Sequence, residues 1–217
     1  MIKTVDLFDI SDSHLSEIFE RAEYPWQILP LIKDYIRNCL KCGLSGYELL
    51  SEIILVGENV VFENNVTING PCIIGANTVV RAGAYIRGDS IIGKNCVVGN
   101  STELKNCILM NNVQVPHYNY VGDSILGNNV HLGAGVICSN LKNNKNNVYV
   151  GKEKIDTTLR KVGSFIGDNA DVGCNCVLNP GTVIGKNTIC YPLQSLRGIF
   201  PPSVIIKSYD NVVERRM

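Results

Sequence analysis

Residues 98–140 concentrate side chains that can move protons or bind polar ligands: Glu103, Lys105, His117, Tyr118, Asn119, Tyr120, His131 and Asn140. Imidazole titrates near neutral pH, so His117 suits a general base. An exposed histidine that only hydrogen-bonds at a surface or interface fits the same residue. A catalytic metal of the kind held by three imidazoles needs about three histidines and one open position. The chain has 3 histidines, but His14 belongs to a separate N-terminal segment, so no metal is expected. The nine cysteines are odd in number and come without an export signal, which points to free thiols. Cys39 and Cys42 have CxxC spacing, but no second pair follows, and Cys39 falls on an apolar helix face.

These residues are positioned by a six-residue repeat. From Val56 the hexads read VGENVV, FENNVT, INGPCI, IGANTV, VRAGAY, IRGDSI, IGKNCV and VGNSTE. LGNNVH and LGAGVI follow from Leu126, then IGDNAD, VGCNCV, LNPGTV and IGKNTI from Ile166. The first position is aliphatic or Phe, the fourth is usually Asn or Gly, and the fifth is small. An inward apolar residue, a small corner residue and a sharp left-handed turn satisfy this rule. Hexad periodicity predicts a parallel β-helix, with about three hexads per triangular coil and stability accumulating by stacking. LKNCI from Leu104 and VGDSI from Val121 are each one residue short.

Residues 1–50 read differently. Asp12 or Ser13 can cap a helix over 15–21, and Pro30 suits the first turn of a second helix ending at Gly43. Tyr24 and Trp26 are expected to seal this head, which we expect to cap the stack. The domain reading is a helical cap over 1–50, coils over 51–207 and a charged, solvated tail over 208–217. The polar segment 141–161 is expected to project as an arm from a coil corner. Net charge is zero, which excludes bulk attraction to nucleic acid or anionic membrane. No apolar run reaches the roughly 20 residues of a membrane span, and the N-terminus lacks a signal-peptide core. A cytoplasmic protein is expected.

The repeat pattern resembles the left-handed parallel β-helix of hexapeptide acyltransferases. Its left hand is implied by that resemblance, since general crossover rules give the opposite hand. Over about 54–190, the segments GNSTELKN, HYNYVGDS and HLGAGVICSN resemble the acetyltransferase half of the bifunctional enzymes that make UDP-N-acetylglucosamine. The chain is also similar to short sugar-1-phosphate nucleotidylyltransferase-like proteins. It has no Gly-rich nucleotide loop, so nucleotidyl transfer is not expected.

The resemblance implies an all-β solenoid that uses acetyl-CoA to acylate an amino-sugar phosphate or nucleotide sugar, without a metal. It gives His117 the base position, Arg81 and Lys105 the phosphate, and Tyr120 and Asn140 the sugar. Glu103 can share the Lys105 face, and His131 can add a second titrating group. Ala134, Gly135, Gly167, Asp168 and Gly173 would line the cofactor path, in a groove completed by a second subunit of a homotrimer. Three positions depart from the family: Leu141 replaces a Tyr, His131 an Asn, and Asp168 a Ser. They keep open a second reading, a β-helix that binds a phosphosugar, a nucleotide sugar or a partner without transferring a group.

Overall fold

A computed structural model describes residues 2–11 and 14–215. From Ile54 the chain winds into a parallel β-helix with three faces. The first face is a nine-stranded sheet that includes Cys72–Ile74, Ser90–Ile92, Cys107–Leu109 and Ser164–Ile166. The second face, also nine-stranded, includes Val97–Asn100, Gln114–His117 and His131–Leu132. The third, seven-stranded, includes Glu103–Lys105, Tyr120–Gly122 and Ile137–Cys138. Antiparallel strands finish the stack: Tyr47–Ser51 pairs with Ile54–Gly57, and Asn211–Glu214 pairs with Val204–Ser208.

Inward side chains such as Ile92, Val98, Leu104, Leu126 and Cys138 form one continuous buried column. Corners follow the composition of the repeat. Asn59, Asn77, Asn95, Asn112, Asn129, Asn169 and Asn187 all take positive φ, a region that Asn enters at low cost. Their amides bond from coil to coil, as from Asn112 to Asn129 at 3.0 Å and from Asn129 to Asn169 at 2.9 Å. Small fifth-position residues bond to the next coil, as Thr78 Oγ1 does to the Gly93 carbonyl at 2.8 Å. A Cβ on Gly75 would lie 2.4 Å from the Gly93 carbonyl carbon, so only glycine admits the neighbouring coil there.

Corner lengths are unequal in a systematic way. Between inward residues, the first-to-second and second-to-third passages keep the six-residue period, as from Ile92 through Val98 to Leu104. The third-to-first passage varies. Leu104 to Leu109 and Val121 to Leu126 are one residue shorter than Ile86 to Ile92, and Leu196 to Phe200 is shorter still. The segment 141–161 leaves and rejoins the coil at this same corner, where Leu141 bridges Lys161.

The N-terminal head does not cover an end of the stack. Helices Ser16–Glu20 and Ile32–Cys42, with the 3-10 segment Pro25–Leu31 between them, lie along the first face. Outward residues Ile73, Ile91, Ile108, Ile125, Phe165 and Val183 are buried there with Trp26, Ile28, Leu29 and Ile36. The second helix starts at Ile32, so Pro30 sits in the preceding 3-10 turn; Gly43 ends it with φ +81°. Trp26 stacks on Tyr24, centroids 4.8 Å apart, and meets Phe165 at 6.3 Å. The expected capping residues Asp12 and Ser13 lie outside the described residues.

Segment 141–161 departs from expectation by folding back. Tyr149–Val150 and Ile155–Asp156 pair antiparallel, and Val148 and Val150 are buried against the same cluster as the head. In the tail, expected to be solvated, Glu214 is exposed, while Arg215 Nη1 donates to the Asn187 carbonyl at 2.9 Å. All nine cysteines are free, and burial pushes the thiols of Cys72, Cys96, Cys107 and Cys138 up to about 12. Among the described residues no helix is long and apolar enough to cross a membrane.

Two predictions follow from the head. Trp26→Ala removes a side chain only 3% exposed and should cost about 3–5 kcal/mol in denaturant unfolding. Val5→Ala, at a position 73% exposed, should stay within about 0.5 kcal/mol. His14 is the second probe. Its Nδ1 lies 2.7 Å from the Tyr35 hydroxyl, which donates to the His14 carbonyl, and burial lowers its pKa to about 4. The folded state therefore favours neutral imidazole: the contribution is complete above about pH 6.5 and lost as pH falls toward 4. Melting temperature should fall across that window in the parent chain, and less steeply in His14→Phe.

Candidate functional site

The short third-to-first corner draws polar groups together. Asp123 is 3% exposed and takes a positive φ of +47°. Its carboxylate accepts from Lys105 Nζ at 3.1 and 3.0 Å and from Asn106 Nδ2 at 2.8 Å. Asn140 Nδ2 also donates to it, and to the Tyr120 hydroxyl at 3.1 Å. The structure thus unites Lys105, Tyr120 and Asn140, three residues singled out from sequence, around an acid that was not. A signal for Asp123 was present: it stands where VGDSI loses one residue from the period. Arg87, also missed, bonds Glu103 at 2.9 Å on the same face.

The chemistry of this cluster is that of a polar ligand clamp. Asp123 holds the Lys105 ammonium, which has three donors. Burial, with Asp123 beside it, raises the Tyr120 pKa, so its hydroxyl stays protonated and can donate. Such a set can meet phosphate oxygens and sugar hydroxyls.

His117 ends the second-face strand Gln114–His117 and is exposed, at the corner that leads into the third-face strand Tyr120–Gly122, whose Tyr120 belongs to the cluster. Asn119, 2% exposed, fixes the corner by accepting from the His117 amide and donating to the Gly133 carbonyl at 2.7 Å. Tyr118 beside it adopts φ +37°, a conformation that is uncommon for a bulky residue. Arg81 is in register two coils before the His117 strand, so about 10 Å separates them along the coil axis. His131 is on the outer second face, its Nδ1 2.9 Å from Asp171.

The expected cofactor positions fall at different corners. Ala134, Gly135 and Gly173 lie between the second and third faces, and Gly167 and Asp168 between the first and second. A Cβ on Gly167 or Gly173 would strike backbone of the next coil at 2.7 or 2.5 Å, so coil stacking alone requires both glycines. Asp168 is tied to the head: its carboxylate accepts from the Asp9 amide and the Asn128 amide, each at 2.8 Å, and pairs with Lys186 at 3.1 Å. Its amide donates to the Leu7 carbonyl at 3.0 Å. Among the described residues no group of His, Cys, Asp and Glu is arranged to hold a metal.

Residues 68–159 match the GMPPB C-terminal domain family. The chain is 42% identical over 92 residues to the bifunctional protein GlmU of Methanococcus aeolicus, covering 42% of this chain and 22% of that protein. It is 36% identical over 97 residues to a bifunctional sugar-1-phosphate nucleotidylyltransferase/acetyltransferase of Sulfurisphaera tokodaii, covering 44% of this chain and 24% of that one. The match therefore spans about a quarter or less of these relatives' length. Among solved structures, a UDP-N-acetylglucosamine acyltransferase from Campylobacter jejuni aligns with TM-score 0.47 at 17% identity, over 71% of this chain and 67% of that chain. The acetyltransferase domain of PglB from Neisseria gonorrhoeae aligns with TM-score 0.41 at 13% identity, over 74% and 62%. The chain carries a hexapeptide-repeat β-helix that is similar, over 92 residues, to part of the bifunctional GlmU proteins.

Proposed function

We propose that this protein is an acyltransferase that uses acetyl-CoA to acylate an amino-sugar phosphate or nucleotide sugar. The observation that supports the reading is the convergence of Lys105 and Asn140 on Asp123, with Tyr120 bonded to Asn140, inside residues 68–159, which match the GMPPB C-terminal domain family. In this reading Lys105 and Arg81 hold phosphate, and Tyr120 and Asn140 hold the sugar. The sugar amine attacks the thioester carbonyl, His117 takes the amine proton, and the thiolate of coenzyme A leaves. The reading includes a homotrimer in which an adjoining subunit completes the cleft beside the exposed His117.

A second reading, ligand binding without transfer, is favoured by one specific contact. Segment 7–9 bonds Asp168 on both its amide and its carboxylate, at one of the two corners that hold the expected cofactor positions.

Thiol release from acetyl-CoA with glucosamine-1-phosphate separates the two. The transferase reading expects turnover, with His117→Ala lowering kcat about 10²–10⁴-fold and Lys105→Ala acting mainly on KM. Calorimetric binding of the sugar phosphate with no thiol release would favour the second. Asp123→Ala should destabilise the fold by about 2–4 kcal/mol in urea, because it strands the Lys105 charge; Asp123→Asn should lose less.

A further inference from the structure

The folded-back arm builds a cleft that is separate from the Asp123 cluster. One half, of about 460 Å³, is lined by Lys142, Tyr149, Lys154, Pro180 and Arg197. Gly151, Arg197 and Gly198 also line the adjoining half, of about 680 Å³, whose walls include Lys152, Glu153, Phe200, Tyr209 and Val212. Both volumes fall in the range of small-molecule sites. The cations are the notable feature of a chain with zero net charge. Among the described residues, Lys142, Lys152, Lys154 and Arg197 have no carboxylate ion-pair partner. Lys142 donates to the Asn147 carbonyl at 2.8 Å and lies 5.3 Å from the Tyr149 ring centroid, which holds it in place without neutralising it. Nearby Asp156 is occupied inside the arm, accepting from Asn147 and the Thr158 amide. Beyond Arg197 the lining holds Lys152 and Glu153 beside apolar and aromatic groups: Phe200 and Tyr209 stand edge to face with centroids 6.4 Å apart, and Tyr209 is 56% exposed.

A cationic half joined at an arginine to an aromatic half matches an anion that carries a flat, partly apolar group. We propose that this cleft binds a nucleoside diphosphate, with the diphosphate on Lys142, Lys154 and Arg197 and the nucleoside against Tyr209 and Val212. Guanidinium and ammonium groups suit the diphosphate oxygens, and an exposed ring accepts a base by stacking. A cleft of this volume, walled on one side by the arm, favours a small ligand over a polyanionic polymer. Sugar nucleotides and adenine-containing cofactors both carry such a diphosphate, and the cleft recognises the chemistry they share. This inference does not depend on acyl transfer.

Isothermal titration of the full chain with UDP, ADP, UMP and inorganic pyrophosphate tests it. UDP or ADP should bind more tightly than UMP and pyrophosphate, and affinity should fall as salt rises. The preference between UDP and ADP identifies the source. Lys154→Gln combined with Arg197→Gln should weaken binding by tenfold or more, and Tyr209→Ala by about threefold to tenfold, with unchanged melting temperatures. Asn140→Ala should leave it unaltered. Pyrophosphate binding as tightly as UDP would overturn the nucleoside half of the site. Affinity indifferent to the Lys154 and Arg197 substitutions, or no binding by any of the four ligands, would overturn the proposal.

Discussion

Parallel backbone pairing between successive coils is the constraint on which the rest of this structure depends. Each strand bonds to the strand one coil before and one coil after, so neighbouring coils must carry their inward residues at matching heights. Two corners meet that demand with a constant number of residues and with Asn or Gly in the left-handed region at most turns. The third absorbs every change of length. A corner free to shorten can draw Lys105, Asn106 and Asp123 within bonding distance, and a corner free to lengthen can emit an arm. Polar chemistry and insertion therefore share one edge of the prism because that edge alone is released from the period.

The same constraint accounts for the head. A β-helix buries its inward column by stacking, but outward side chains stay wet unless something covers them. On the first face the outward positions are large and apolar: Ile73, Ile91, Ile108, Ile125 and Phe165. Each such side chain is worth about 1.5–3 kcal/mol when withdrawn from water. The helices of the head and the Val148–Val150 side of the arm supply the cover. The head thus acts as a third layer along the side, and its Asp9 and Leu7 backbone groups reach Asp168 at the adjoining corner.

Much of this was legible in the residues. The hexad rule gives the coil, its inward residues and its left-handed Asn corners, since each follows from local backbone preference. The short segments at Leu104 and Val121 mark the two compressed corners. The placement of the head was not read, although a signal exists: CII, SII, CIL, SIL, SFI and TVI put adjacent bulky residues on every third strand, and only a face buried on both sides calls for that. The Asn and Lys content of the arm outweighs the alternating Val148 and Val150, so its sequence predicts a projecting loop. Asp123 was missed because an Asp at a turn reads as a conformational choice. Its second role as hub of Lys105, Asn106 and Asn140 depends on residues brought together by coil-to-coil register, which no local window contains.

Lys105 shows how far position and readiness can differ. Its place on the third face fits a phosphate ligand, yet its ammonium is already held by both oxygens of Asp123. A buried carboxylate needs such partners, because an uncompensated charge in the interior is costly. The pair has two consequences for any anionic ligand. It fixes the ammonium in space, removing the entropy a free lysine would lose on binding. It also lowers the net positive charge of the corner, so a dianionic phosphate there draws on Tyr120 and Asn140 as well as on Lys105. The arm cleft is built the other way, with Lys154 and Arg197 left uncompensated and exposed. One edge of the prism therefore carries a neutralised, rigid polar cluster and, among the described residues, a basic cleft whose cations have no carboxylate partner, two settings that differ in the charge they can hold.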